Sequence, residues 1–181
     1  MEFTDVIKSR RSVRRFSDRE VEDEKIKQIL ECGRLAPSWA NKQCWSFIIV
    51  RDKEKIESLS QAAGMINSWL KKVPIIIVAC GDPKLSGIRS GIEYFMVDVA
   101  IAMEHFILAA ANLGLGSCWV GSFDENRIKG VLKIPNNMRV VAITPIGYPV
   151  KKVGLKENIT RFIVQSKKRK PLNEIVHYDR W

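Results

Sequence analysis

The segment from Ile92 to Asn112 is the longest apolar stretch of the chain, and it restricts the folds that the chain can adopt. Apolar residues occur nearly all round it, which predicts a central helix buried on most sides. A membrane span needs about 20 apolar residues with few charges, whereas Asp98, Glu104 and His105 interrupt this segment. We therefore expect a buried helix whose two acids face loops or a partner chain. His105 is expected to be a packed, hydrogen-bonded residue and not a ligand or base.

Shorter patterns on both sides of this segment predict further helices and strands. Two apolar runs, Pro74 to Cys80 and Arg139 to Tyr148, indicate buried strands, and Ser46 to Val50 indicates a third. Three glycines and a proline between Gly81 and Gly91 indicate a loop. Helical spacing predicts helices after Met1, from Glu22, and over Lys53 to Ala62, Met65 to Lys72 and Glu125 to Leu132.

Length, composition and cysteine content predict one domain, 1–181. With 181 residues and 46% hydrophobic composition, the chain can bury one sizeable core but is short for two. The four cysteines are scattered without a CxxC pair, and only two histidines accompany them. This pattern indicates reduced thiols and argues against a structural zinc site. No export signal is visible, so we expect a cytoplasmic protein without a metal.

The net charge of +10 is concentrated at the two ends of the chain. Residues 1–16 hold five Lys or Arg and two acids, a net charge of +3, and residues 151–181 hold nine and three, a net charge of +6. The 134 residues between them contribute only +1. A nucleic-acid-binding protein usually spreads its basic residues along one face, because it neutralises many phosphates. Two terminal clusters could instead enclose a single phosphate. Nucleic-acid binding is kept as the second interpretation.

The arginine stretch, Arg10 to Phe16, is the first candidate binding element. It contains four arginines and one serine within six positions. Planar guanidinium groups and a short hydroxyl suit the several oxygens of one phosphate. The alternative is a solvated basic surface.

The loop from Ala36 to Trp45 is the second candidate. Its hydroxyl and amide side chains lie between two tryptophans, a mixture that can bind the edges of a flat heteroaromatic ring. Alternatively, its Ser and Asn side chains bond their own backbone in an ordinary turn.

The glycine-rich segment Gly114 to Gly121 is the third candidate. It superficially matches the dinucleotide-binding fingerprint, but here a helix precedes and a strand follows, which is the reverse of that motif. Gly114 fits a helix C-cap. Gly121 fits either a bulge or a close approach of the backbone to a ligand.

These three candidates, in this order and spacing, resemble the flavin-dependent nitroreductase family over nearly the whole chain. The closing run from Lys167 to Leu172, with His177, Tyr178 and Trp181, is similar to the family's C-terminal end. The resemblance implies an α+β fold, a three-layer α/β/α sandwich with a central, mostly antiparallel sheet. It also implies a homodimer with exchanged C-terminal tails, in which about residues 151–181 dock on the partner subunit and FMN binds at the subunit interface.

By position, the resemblance also implies which residues bind FMN. The loop residues Pro37, Ser38 and Asn41 would line the isoalloxazine ring from the neighbouring chain, and the backbone at Val120 and Gly121 would approach flavin N5. The residues expected at the phosphate and ribityl chain are Arg10, Arg11, Ser12, Arg14, Lys167 and Arg169.

The implied function is an FMN-dependent oxidoreductase. It would take hydride from NAD(P)H onto flavin N5 and pass electrons to a nitroaromatic, quinone or similar small acceptor in a ping-pong cycle. No side chain is assigned as acid, base or nucleophile. Cys44, where resembling sequences more often carry proline, is interpreted first as a packed small residue and alternatively as a redox-sensitive thiol.

Two alternatives stay open. One is an FMN-binding protein with a flavin-processing or redox-sensing role, and the other is the nucleic-acid-binding module. Residues 62–91 match no motif, so the sequence does not identify the electron acceptor.

Overall fold

The computed structural model describes residues 1–150 and 169–181. The chain divides into one unit of Met1–Val150 and a second of Lys151–Trp181. The strands of the first unit are β1 (Trp45–Val50), β2 (Ile75–Gly81), β3 (Ile88–Arg89), β4 (Ile92–Glu93), β5 (Gly116–Ser117) and β6 (Arg139–Gly147). Four of them form an antiparallel sheet of order β1-β2-β6-β5, and β3 and β4 form a separate two-stranded hairpin. The α-helices are α1 (Phe3–Ser9), α2 (Asp23–Arg34), α3 (Lys53–Ala62), α4 (Tyr94–Asn112) and α5 (Glu125–Leu132), and the 3-10 helices are Trp39–Asn41, Met65–Lys72, Pro83–Leu85 and Leu172–Glu174.

The fully buried strand β2 divides the core of the first unit into two halves. Successive side chains of a strand point to opposite faces, so its odd-numbered and even-numbered residues enter different layers. The residues at 75, 77 and 79 pack with α2 and α4, and those at 76, 78 and 80 pack with α3, α5 and the 3-10 helix Met65–Lys72. The sheet is thus the middle layer of an α/β/α sandwich. The predicted α+β fold with a mostly antiparallel sheet is confirmed.

Helix caps place several boundaries where the sequence predicts them. The Asp52 side chain accepts a hydrogen bond from the Lys55 amide at 2.9 Å, and α3 occupies the predicted residues. At the end of α4, Gly114 adopts a φ of +74° and the Leu115 amide donates to the Ala110 carbonyl at 2.8 Å. These are features of a Schellman motif, which confirms the predicted glycine C-cap.

The helix α4 begins two residues later than predicted. Ser90 and Gly91 have φ values of +52° and +78°, a left-handed pair that forms the tight turn of the β3–β4 hairpin. Ile92 and Glu93 therefore pair back onto β3 before the helix starts at Tyr94. The predicted loop over residues 81–91 is accordingly a 3-10 turn followed by the first half of a hairpin.

The helix α4 is buried along one side only, so the prediction that it is buried on most sides is wrong. Val99, Met103 and Phe106 lie in the core, and α2 approaches closely because Gly33 has no side chain; a Cβ there would lie 1.9 Å from the Phe106 ring. Met96 and Val97 are exposed on α4. Among the described helices, α4 alone is long and apolar enough to cross a membrane, a property that buried core helices share.

The ionisable residues of α4 occupy different environments. Asp98 is buried and faces two loops, as the sequence predicts. Glu104 is exposed. His105 is hydrogen-bonded as predicted, with its Nδ1 3.0 Å from the Cys32 carbonyl oxygen, but it is half-buried and not part of the core.

Candidate functional site

The arginine stretch runs from the end of α1 along β5. The Val13 amide donates to the Ser117 carbonyl at 2.8 Å, and Ser12 and Ser117 form a parallel bridge. This close approach requires Gly116, because a Cβ at that position would lie 2.8 Å from the Cβ of Val13. The contact joins two of the three sequence-predicted binding elements within one chain.

Three of the predicted phosphate ligands influence the pKa of one buried thiol. Burial raises the pKa of Cys118, while the Arg14 charge, a hydrogen bond from Ser12 and the Arg10 charge each act to lower it. These residues alternate along the extended segment, so they share a side opposite the buried Val13. The extended segment thus presents Arg10, Ser12 and Arg14 on one side, from which each acts on the Cys118 thiol.

The charges of this cluster are not neutralised within the part of the chain that the structure describes. No carboxylate there forms an ion pair with Arg10, Arg11 or Arg14. Arg11 is exposed, and it is not among the groups that shift the Cys118 pKa. Two guanidinium groups and a hydroxyl on one side of an extended segment are a suitable donor set for a phosphate.

A polar cluster at the end of the arginine stretch fixes its path. The Ser17 amide donates to the Tyr148 carbonyl at 2.9 Å, and the Tyr148 hydroxyl donates to the Glu22 carboxylate at 2.6 Å. The Tyr148 bond, with Arg19 and Lys25 nearby, lowers the pKa of Glu22 to about 2. The Arg19 guanidinium lies 3.9 Å from the centre of the Tyr148 ring. The cluster joins the start of α2 to the end of β6.

The loop from Ala36 to Trp45, hereafter the ring loop, has a strained backbone. Ala40, Asn41 and Gln43 have φ values of +45°, +55° and +50°, a region that residues other than glycine rarely adopt. The Gln43 amide donates to the Ser38 hydroxyl oxygen at 2.9 Å, which is the self-bonding expected of an ordinary turn. Strain at several neighbouring residues is more typical of functional sites.

The three predicted loop ligands lie on one turn, which makes no direct bond to the arginine stretch within the described residues. Pro37 and Asn41 are exposed and Ser38 is half-buried. Within the described residues, no hydrogen bond or ion pair links the ring loop to residues 10–15. The two groups therefore do not form one site through direct bonds within the described part of the chain.

Buried groups beneath the ring loop connect it to α4. The Trp39 amide donates to Asp98 Oδ1 at 2.8 Å, and the Cys44 thiol lies 3.5 Å from Asp98 Oδ2. Burial, and then the Asp98 charge, raise the pKa of Cys44 to about 12. This thiol is therefore protonated at neutral pH, which agrees with its interpretation as a packed residue.

The backbone at Val120 and Gly121 marks the point where the chain leaves the sheet. The buried Val120 exchanges two 3.0 Å backbone hydrogen bonds with Ile143. Gly121 is exposed, lies beyond this bridge, and has no bonded acceptor for its N–H among the described residues. A Cβ at Gly121 would meet only the Trp119 Nε1, at 3.6 Å, and would otherwise project into open space. A free N–H beside open space suits the close approach of a ligand more than a bulge inside a strand.

The two remaining predicted ligands come from the C-terminal part of the chain. Lys167 lies outside the described residues. Arg169 begins the described part of the second unit and is exposed. Two residues beneath the ring loop were not singled out from the sequence. Ser86 bonds the Asp98 carboxylate, and Gly87 lies against the Trp39 indole. Neither belongs to a recognisable motif, and a short motif does not identify contacts between residues far apart in the sequence.

Comparisons with known proteins identify the family. The model of the Nitroreductase family matches residues 7–65 and 59–148. A relative from Archaeoglobus fulgidus, provisionally named NADH dehydrogenase/NAD(P)H nitroreductase, is 39% identical over 161 residues, which cover 87% of this chain and 91% of the relative.

Two solved structures extend this comparison to the fold. A nitroreductase family protein from Clostridium novyi is 40% identical with a TM-score of 0.81, and the match covers 83% of this chain and 87% of that chain. An FMN-dependent nitroreductase from Clostridium difficile is 31% identical with a TM-score of 0.77, over 97% of this chain and 98% of that chain. This chain therefore belongs to the nitroreductase family. The family and the assignment as an oxidoreductase, both made from the sequence, are confirmed.

Proposed function

We propose that this chain is an FMN-dependent oxidoreductase. It takes hydride from NAD(P)H onto flavin N5 and passes the electrons to a nitroaromatic, quinone or similar small acceptor in a ping-pong cycle. Family membership supports the reaction class. The observation on this chain that supports it most directly is the cluster of Arg10, Ser12 and Arg14, joined to the 116–121 segment through Val13.

The residues of this cluster fit the phosphate of FMN. Arg10 and Arg14 supply guanidinium donors, and the Ser12 hydroxyl supplies a shorter one. Arg11, Lys167 and Arg169 are proposed as further donors along the phosphate and ribityl chain.

The open space at Gly121, where a Cβ would meet only the Trp119 Nε1, leaves room for a flat ring to approach the backbone. When bound there, FMN would supply the hydride-transfer chemistry that the amino acids lack. The Gly121 N–H would donate towards N5, and donors fixed in advance stabilise charge without reorganising. Pro37, Ser38 and Asn41 would line the ring from the neighbouring chain and exclude water from it. No side chain needs to act as acid, base or nucleophile.

We also propose a homodimer with exchanged C-terminal tails and FMN at the subunit interface. An apolar groove of about 460 Å³ lies between α1, α2 and α4, lined among others by Phe3, Leu35 and Leu108. Leu35 and Phe3 are 64% and 67% exposed, and Trp181 of the tail is fully exposed. Apolar surfaces of this kind commonly mark interfaces.

The spectrum of the purified protein tests the cofactor, and steady-state kinetics tests the reaction. We expect a two-band yellow spectrum, roughly one FMN released per chain, and oxidation of NADH or NADPH that depends on an added acceptor. Parallel double-reciprocal lines would support the ping-pong cycle. A chain that stays colourless with added FMN contradicts the proposal. Bound FMN without NAD(P)H oxidation would favour the flavin-binding alternative, and salt-dependent binding to DNA or RNA would favour the nucleic-acid module.

A further inference from the structure

The carboxylate of Asp98 lies beneath the ring loop, where it joins two parts of the chain. The residue is on α4 and is 2% exposed. Its Oδ1 accepts the Trp39 amide at 2.8 Å, and its Oδ2 accepts the Ser86 hydroxyl at 2.8 Å and faces the Cys44 thiol at 3.5 Å. Donors from the ring loop and from the 82–87 segment therefore meet on one buried carboxylate.

Ring packing reinforces the same junction. The Trp39 and Tyr94 rings lie 4.4 Å apart between their centres. Gly87 lies directly against the Trp39 indole, where a Cβ would come within 2.2 Å of it. The Asp82 amide also donates to the Cys44 carbonyl at 2.9 Å. Trp39 and Cys44, on the two sides of the strained turn, are thus both attached to α4 and the 82–87 segment.

The strained turn needs such attachment. Its left-handed residues, Ala40, Asn41 and Gln43, lie between Trp39 and Cys44. Strained backbone persists only where the surrounding structure holds it in place. Within the described residues, the side-chain bonds of the turn itself connect only Ser38, Asn41 and Gln43 to one another. Of the bonds that hold the turn from outside, those of the Trp39 amide and the Cys44 thiol meet on Asp98, and the Asp82 amide adds another at the Cys44 carbonyl.

We propose that Asp98 is a positioning residue that holds the ring loop in the conformation that binds the flavin ring. This inference rests on the proposed function, because the loop's ligand is the isoalloxazine of FMN. The carboxylate acts through the Trp39 amide, next to Ser38 and Pro37, and does not touch the flavin. The Ser86 bond makes the 82–87 segment part of the same support.

The test compares the affinities of the D98N variant for FMN and for riboflavin, which lacks the phosphate. An amide has one acceptor oxygen and cannot serve the donors at Oδ1 and Oδ2 alike. We expect D98N to lose affinity for both flavins by the same factor, on the order of tenfold, the effect of one charge-assisted hydrogen bond. An R14A variant should lose affinity for FMN alone.

The D52N variant is the matched control. The Asp52 side chain accepts the Lys55 amide at the start of α3, and it bonds neither the ring loop nor the 82–87 segment. It should keep the wild-type affinity for both flavins. If D98N does not fold, the S86A variant tests the same junction. It should lower the affinity for both flavins, but by a smaller factor.

A readout without flavin separates this inference from the proposed function. The amide hydrogen of Trp39 should exchange with solvent faster in D98N than in the wild type, because D98N loses or weakens the hydrogen-bond acceptor of this amide. Unchanged flavin affinities or unchanged exchange at Trp39 in a folded D98N protein overturns the positioning role alone. A wild-type protein that binds neither flavin overturns the proposed function and this inference together.

Discussion

The hydrogen bond between the Val13 amide and the Ser117 carbonyl sets the direction of the side chains on both sides of it. Val13 turns into the core, so in an extended segment Ser12 and Arg14 turn the other way. Both act to lower the pKa of Cys118, which burial raises. One backbone contact thus selects which arginines of the stretch act together.

Replacing Arg10 or Arg14 by Ala should weaken FMN binding by about 1.5–3 kcal/mol, the usual contribution of a charge-assisted hydrogen bond. Fluorescence titration of FMN measures this loss, and riboflavin binding should not change. Arg34→Ala is the control, since Arg34 is exposed on α2 and paired with Glu31 at 2.6 Å. Equal FMN affinity in all three variants would contradict the phosphate assignment.

The Gly121→Ala variant should fold normally but bind flavin less tightly. The added Cβ meets only ordinary van der Waals contact with Trp119, yet it projects into the space proposed for the ring. We expect a loss of about 1–3 kcal/mol in flavin affinity, as for other overpacked sites. Gly130→Ala, in an open position on α5, should instead raise the free energy of unfolding by about 0.5–1 kcal/mol. Wild-type flavin affinity in Gly121→Ala would place the ring elsewhere.

At the residue scale, the sequence predicts side-chain chemistry better than it predicts partners. The alternating Arg10, Ser12 and Arg14 could be recognised because their chemistry suits a phosphate. Asp98 could not, because its donors at Trp39 and Ser86 lie 59 residues before it and 12 residues before it. An acid within an apolar helix predicts a polar partner without identifying it.

At the element scale, regular periodicity and caps made most helices and strands predictable. The helix α3 and the 3-10 helix Met65–Lys72 occupy the predicted residues, and β2 and β6 differ by a residue or two. The hairpin β3–β4 was missed because each strand has two residues, too few to display a period. Its Ser90–Gly91 turn was the available signal.

The hydrogen bond between Glu22, just before α2, and Tyr148, just after β6, should make the free energy of unfolding depend on pH. The pKa of Glu22 is lowered from 4.5 to about 2 by the Tyr148 hydroxyl and then by other neighbours. A carboxyl group with a lowered pKa stabilises the fold above its unfolded pKa, and this contribution is lost as the pH falls through the folded value.

The urea midpoint of Glu22→Gln should therefore lie below that of the wild type at neutral pH, and the difference should shrink as the pH falls from 4.5 to about 2. Glu24→Gln serves as the control, because Glu24 is exposed on the same helix and makes no ion pair with a described residue. A difference that does not change with pH would show that Glu22 acts through packing alone.

At the scale of the whole molecule, several large apolar side chains are exposed on the described surfaces. Phe3, Leu35 and Met96 are 67%, 64% and 47% exposed on the first unit. The second unit exposes Leu172 and Trp181, at 74% and 100%. Large apolar residues at a surface commonly mark contacts with another subunit.

Deleting residues 172–181 should therefore convert the proposed dimer into monomers or aggregates. Each exchanged tail would bury several of these side chains on its partner, at about 1.5–3 kcal/mol for each fully buried large apolar residue. Light scattering after size-exclusion chromatography measures the mass of the full chain and of the deletion variant. Asn173→Ala, a polar residue of the same 3-10 helix, is the control and should remain dimeric. A stable dimer without these residues would show that the interface lies on α1, α2 and α4 alone. A deletion variant that is monomeric and has also lost FMN would indicate that the flavin site needs both subunits.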